Sequence, residues 1–157
     1  MIGFRAEAEG YTAQFEPDEA AILGELAGQV AELVQLGDPA DPVLSRLLPD
    51  AYPADAEASA EFRRFTSGGL GERKVRNATT VIGALGTAAA ATTSTPVTLS
   101  EEDAQAWLRT LTDIRLSLAS RLGVTDVGPS GDPPQGLLDL YDWLGFVQES
   151  LVRAVDR

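Results

Sequence analysis

The sequence contains no cysteine and no histidine, and it has a single lysine and a single methionine. Without cysteine the chain forms no disulfide and has no thiolate nucleophile, and without either residue it lacks the usual zinc ligands. The absence of histidine also removes the side chain that most often serves as general acid or base near neutral pH. We therefore expect no catalytic centre, no metal site and no cofactor.

Long hydrophobic runs are absent as well. No apolar stretch approaches the ~20 residues of a membrane-spanning helix, and the first residues show no signal-peptide pattern. These features predict a cytoplasmic protein without membrane contact. The chain has 157 residues, of which 44% are hydrophobic, and this suits a single domain over residues 1–157.

Positive charge is scarce and unevenly distributed. The net charge of −12 opposes general nucleic-acid binding, which depends on basic residues that neutralise phosphates. Residues 61–76, here called the basic island, contain five basic and two acidic residues and so have a net charge of +3. A basic segment in an acidic chain favours the docking of an anionic partner. The predicted partner-binding residues are Arg63, Arg64, Arg73, Lys74 and Arg76.

Two other interpretations of the basic island remain open. Ion pairs with Glu57, Glu61 or Glu72, which lie within helical reach of the basic residues, would make it an ordinary solvated face. Alternatively, Ser67-Gly68-Gly69 breaks the helix and leaves a helix-turn-helix-like segment at residues 55–80 that contacts DNA. The second helix of that segment would then present basic residues near its N-terminus, where phosphate and base contacts are made.

The spacing of apolar residues predicts a mainly α fold. Alternation over residues 2–16 predicts a short N-terminal β-hairpin with Gly10 at its turn, and Pro17 opens the first long helix. Apolar residues three and four apart then predict a compact bundle of about five helices. Residues 87–96 are interpreted as a frayed helix end and a loop, and Asp132-Pro133 as a candidate start of the last helix.

Further signals refine the helices. Asp41-Pro42 predicts a short helix through Leu48, and Ser100 opens a capping box ahead of a helix at residues 101–122. In that helix, Arg109 and Asp113 are four residues apart and can form an ion pair. Arg115 is interpreted as half-buried and tied to carboxylates, with an anion site on the same helix as the alternative. The large aromatic residues Trp107, Tyr141, Trp143 and Phe146 are assigned mainly to the core.

The last helix carries a wide apolar arc. Trp143 and Phe146 extend it beyond the single stripe that one neighbouring helix covers. Such an excess is typical of a dimer or partner interface, so a homodimer is among the expected assemblies.

Several segments resemble one family. Residues 41–66 read DPVLSRLLPDAYPADAEASAEFRRFT and are followed by LGERK at 70–74, residues 106–123 read AWLRTLTDIRLSLASRLG, and residues 140–152 read LYDWLGFVQESLV. Together with the opening GFRAEAEGYTAQFEPDEAAIL, they resemble the actinobacterial domain-of-unknown-function 2017 family over nearly the whole chain. The resemblance implies transcription regulation under oxidative stress through an alternative sigma factor, and no enzymatic activity. It also implies cysteine-based redox sensing, which this cysteine-free chain does not support.

The sequence therefore favours a non-enzymatic regulatory adaptor that acts by protein–protein contact. The transcription machinery, for example a sigma factor, is the expected partner. A direct DNA-binding regulator that uses residues 55–80 is the first alternative, and a small-molecule-binding domain is the second.

Overall fold

The structure is a computed structural model that describes residues 1–37, 41–48, 56–122 and 135–156, without the side chains of Ser45, residues 56–68 and Leu122. Five helices dominate the described residues. They are α1 (Pro17–Leu36), α2 (Pro42–Leu47), α3 (Ala56–Ala90), α4 (Glu101–Leu122) and α5 (Gln135–Val155). The predicted mainly α fold is confirmed. Among the described helices, none is both long enough and apolar enough to cross a bilayer.

The predicted β-hairpin is present and belongs to a three-stranded antiparallel sheet. Strand β1 (Ile2–Glu7) pairs with β2 (Gly10–Phe15), and β2 pairs with β3 (Thr95–Leu99). Gly10 at the turn has φ 145°, a conformation that L side chains rarely adopt. A Cβ atom at this position would also collide with the carbonyl oxygen of Leu99. Glycine is therefore required both by the turn and by the close approach of β3.

Strand β3 corrects the prediction that residues 87–96 end in a loop. Thr95 and Pro96 pair with Phe15 and Gln14, and the Thr12 and Thr98 hydroxyls lie 2.9 Å apart across the strands. Pro96 argues against a central strand, but β3 lies at the edge of the sheet, where a missing N–H is tolerated. The pairing joins residues 80 to 88 positions apart, so local sequence patterns do not reveal it.

Helices α2 and α4 begin where a side chain accepts a hydrogen bond from a backbone N–H of the first turn. The backbone N–H of Val43 donates to Asp41 Oδ1 over 2.8 Å at the start of α2, and the N–H of Asp103 donates to Ser100 Oγ over 3.1 Å at the start of α4. Each bond satisfies one of the N–H groups that a helix start leaves without a partner. The predicted start of α5 at Asp132-Pro133 lies outside the described residues.

Helix α3 corrects a second prediction. It runs without interruption through Ser67-Gly68-Gly69, where the sequence predicted a break. A glycine inside a helix costs only about 1 kcal/mol relative to alanine, which a helix of 35 residues that packs on α1 and α4 tolerates. The turn required by the helix-turn-helix alternative at residues 55–80 is therefore absent.

The core lies between the sheet and the helices. Phe4 and Trp107 make an edge-to-face contact with ring centroids 5.5 Å apart, and Phe15 lies 6.0 Å from the same indole. Trp107 and Phe15 are fully buried, which confirms the assignment of Trp107 to the core. Helix α5 closes the open edge of β1, where the backbone N–H of Phe4 donates to Ser150 Oγ over 3.0 Å.

Candidate functional site

The seam between α3 and α4 holds all three basic side chains of the island that the structure describes, Arg73, Lys74 and Arg76. Lys74 contacts Asp113, whereas Thr80, six residues further along α3, shares a cavity with Ala106 of α4. Residue numbers therefore rise along α3 as they fall along α4, and the two helices run antiparallel here. Long antiparallel helices leave a groove along their outer seam, and this groove is the candidate site.

Two adjoining cavities form the groove, which we call the α3–α4 groove. The first has a volume of about 470 Å³ and is bordered by Leu70, Arg73, Asn77, Leu108 and Arg109, with Lys74 and Asp113 at its base. The second has a volume of about 300 Å³ and adds Arg76, Thr80, Glu102 and Asp103. Arg73, Asn77 and Arg109 border both cavities. The two cavities therefore lie side by side along the seam.

A partly buried ion pair forms the base of the groove. Lys74 Nζ lies 2.8 Å from Asp113 Oδ1, and the two side chains are 16% and 7% exposed. Burial raises the pKa of Asp113 above its ordinary value of 3.8, and this effect outweighs the hydrogen bond and the positive charge of Lys74, which act in the opposite direction. Lys74, the only lysine of the chain, is therefore neutralised within the fold.

This ion pair changes two expectations from the sequence. Asp113 pairs with Lys74 of α3 and not with Arg109, its predicted partner four residues away. Lys74 belongs to the groove base, so the geometry favours it as a positioning residue more than as a contact for a partner. Its bond to α4 fixes the register of the two helices beside Arg73.

Three arginines differ from Lys74 in their surroundings. Arg73, Arg76 and Arg109 are all exposed. Among the residues whose side chains the structure describes, none of the three forms an ion pair within 4.0 Å. All three border the second cavity. Arg73 and Arg76, three residues apart, therefore lie on one exposed face of α3. The side chains of Arg63 and Arg64 lie outside the described part of α3, so their predicted role stays a prediction.

Arg109 is the groove residue that sequence reasoning assigned to a different partner. Asp113, one turn later on the same helix, is buried and pairs with Lys74 of α3. Arg109 also borders the groove, but it is exposed and forms no ion pair with the described side chains. The spacing of four residues allows a pair between Arg109 and Asp113, and only the packing of α3 on α4 shows which cation Asp113 takes.

Arg115 occupies a separate site between α4 and α5. Its Nη1 donates to Gln148 Oε1 over 2.9 Å, and its guanidinium carbon lies 4.9 Å from the centre of the Tyr141 ring. The expectation of a half-buried arginine is confirmed, but its partners among the described residues are an amide and an aromatic face, whereas carboxylates were expected. This cation–π contact helps to hold α5 on α4.

The fold is thus a mainly helical domain that carries a partly basic groove on one seam. The chain belongs to the family described as Domain of unknown function (DUF2017), whose model matches residues 1–155. Curated proteins from Mycobacterium bovis and from two strains of Mycobacterium tuberculosis, each named "Oxidative stress regulator AosR", are similar to it at 27% identity over 176 aligned positions. The similarity covers 90% of this chain and 80% of each relative. No solved structure matches the chain significantly.

Proposed function

We propose that this chain is a non-enzymatic regulatory protein of the oxidative-stress response that acts by binding a protein partner in the α3–α4 groove. The name shared by its mycobacterial relatives supports the regulatory part of the proposal. The observation that carries the contact part is the set of three exposed arginines, which have no acidic partner among the described side chains of a chain with net charge −12.

The surroundings of these arginines support a protein partner over DNA. A duplex would bring a dense row of phosphates against an acidic chain, and Glu102 and Asp103 lie in the groove itself. A protein partner needs only local complementarity of charge, which guides encounter and fixes orientation. The transcription machinery, with a sigma factor as a first candidate, is the partner that we propose to test.

The test is affinity capture from the native cell with and without nuclease. We expect a stoichiometric, nuclease-resistant protein complex with the wild-type chain. The double variant Arg73→Glu/Arg76→Glu should lose this complex. A matched control, Arg5→Glu/Arg153→Glu, makes the same change in net charge at exposed positions outside the groove and should keep it.

The same variants test the regulatory part. Transcripts induced by mild peroxide should change in a strain that carries Arg73→Glu/Arg76→Glu and should resemble the wild type in the control strain. Capture that is lost upon nuclease treatment, or that survives the groove variant, would show that the proposed mechanism is wrong.

A further inference from the structure

The length of the α3–α4 groove limits what it can hold. From Leu70 to Thr80 the seam follows ten residues of α3, which corresponds to about 15 Å at 1.5 Å per residue. This is the length of roughly three turns of a further helix. The two long flanking helices offer the parallel walls into which a third helix packs, as in other helical bundles.

Charge and apolar surface differ between the two ends of the groove. At one end, the half-buried Leu70 and Leu108 lie beside Arg73 and Arg109, and Asp113, the only carboxylate among the described residues that border this cavity, is already paired with Lys74. At the other end, Glu102 and Asp103 at the start of α4 border the cavity. The groove therefore has a basic and partly apolar end and an end that also carries acidic side chains.

We propose that the occupant of the groove is an acidic amphipathic helix of about three turns from a partner protein. This inference rests on the proposed function and adds the chemistry of the partner to it. Carboxylates three and four residues apart on one face of that helix pair with Arg73 and Arg109. Leucine-type side chains of the same helix cover Leu70 and Leu108, which gives the contact an apolar component beside the ion pairs.

The direction of the bound helix follows from the two ends of the groove. A helix carries partial positive charge at its N-terminus and partial negative charge at its C-terminus. Its N-terminus therefore lies near Glu102 and Asp103, and its C-terminus lies near Arg73 and Leu70. The occupant runs parallel to α4 and antiparallel to α3.

The experiment selects peptides from a displayed library of helix-forming 15-residue sequences with randomised surface positions. The library is selected on the wild-type protein and depleted on Arg73→Glu/Arg109→Glu. Enriched peptides should be acidic, with Asp or Glu three and four apart next to Leu, Ile or Met. Their affinity should fall about tenfold or more on Arg73→Gln/Arg109→Gln, which neutralises the charges without reversing them. The affinity should change less than about threefold on Arg5→Glu/Arg153→Glu, because neither residue borders the groove.

Two measurements test shape and direction. A proline at the centre of a selected peptide should weaken binding by more than about tenfold, because proline interrupts a helix but is tolerated in an extended peptide. A spin label at the peptide N-terminus should broaden the NMR signals of Glu102 and Asp103 more than that of Leu70. Selected peptides that are neutral or basic, tolerate proline, or bind in the opposite direction would overturn the inference.

The failures of the two proposals are distinguishable. If the native partner depends on the groove arginines but the selected peptides are not acidic helices, the proposed function stands and this inference fails. If acidic helices bind the groove but capture of the native partner is insensitive to the arginines, the proposed function fails. All variants are first compared with the wild type by thermal melting, so that binding is compared only between folded proteins.

Discussion

Two residues of α4, only two positions apart, show the contrast between the core and the groove. Trp107 is fully buried and contacts Phe4 and Phe15 beneath the sheet. Arg109 points in a different direction, is exposed, and forms no ion pair with the described side chains. Residues two apart in a helix diverge by about 200°, so α4 contacts the apolar core on one side and borders the α3–α4 groove on the other.

The difference indicates where stability and binding reside. The aromatic cluster joins the β1–β2 hairpin to α4, which lies far from it in sequence, and its burial contributes to the free energy of folding. Exposed charges contribute roughly 1 kcal/mol or less each, so the groove arginines are dispensable for folding. The Lys74–Asp113 pair lies between these two extremes, because it is partly buried and also borders the groove. Variants in the three regions should therefore differ in a defined order.

The largest effect is expected at the aromatic cluster. Trp107→Ala should lower the free energy of unfolding by roughly 3–5 kcal/mol, because it leaves a cavity in a fully buried site. Trp107→Phe should cost less, since it keeps an aromatic ring and removes an indole N–H that has no hydrogen-bond partner among the described residues. Denaturant unfolding followed by circular dichroism measures both values. Equal losses for the two variants would contradict the cavity argument.

A smaller loss is expected at the base of the groove. Lys74→Met leaves the buried Asp113 without its cation and should cost roughly 1–3 kcal/mol. The double variant Lys74→Met/Asp113→Leu should recover most of this loss, because a buried ion pair is often replaceable by apolar side chains. A double variant that is less stable than Lys74→Met would show that Lys74 and Asp113 stabilise the fold by more than the neutralisation of each other's charge.

The continuity of α3 is tested by a substitution that should stabilise the protein. Gly69 is helical and exposed, and an added Cβ atom would meet nothing within 4 Å. Gly69→Ala should raise the free energy of unfolding by about 0.5–1 kcal/mol, because alanine has the higher helix propensity. A turn with positive φ at this position would give the opposite sign. Thermal melting therefore separates a continuous helix from a helix-turn-helix.

The smallest effect is the pH dependence that arises from Asp113. Its folded-state pKa is raised above 3.8, so the folded protein retains this proton to higher pH than the unfolded chain does. The contribution of this carboxyl group to stability is therefore most favourable below pH 3.8, and it decreases as the pH rises through the folded-state pKa. The difference in unfolding free energy between wild type and Lys74→Met/Asp113→Leu measures this trend.

NMR gives an independent check on the same residue. The carboxyl carbon of Asp113 should titrate with a midpoint above 3.8 in the wild type. The midpoint should be higher still in Lys74→Met, because both effects that lower this pKa come from Lys74. A midpoint that falls when Lys74 is removed would contradict the assigned ion pair.

Much of the fold could be predicted from local patterns, and the remainder depends on long-range contacts. Asp41 and Ser100 cap their helices through bonds to N–H groups two and three residues away, so the sequence alone places these starts. Strand β3 pairs with residues 80 to 88 positions earlier, and α3 continues as one helix through Ser67-Gly68-Gly69 and packs on α1 and α4. Neither feature has a local signature.

The sequence predicts only part of the candidate site, because the other part also depends on long-range contacts. A charge count finds Arg73 and Arg76, because a basic island is a property of consecutive residues. It does not find Arg109, which reaches the groove from α4, and it does not show that Lys74 is neutralised by Asp113. Both facts depend on how α3 and α4 pack against each other.

The most direct test of the central claim is NMR mapping of the protein bound to the partner that nuclease-treated capture identifies. We predict that the largest chemical-shift changes fall on residues 70–80 of α3 and 102–113 of α4, and that they disappear with Arg73→Glu/Arg76→Glu while the melting temperature is retained. Changes centred on the exposed side chains of Ile2 in β1 and Phe146 in α5 would contradict it.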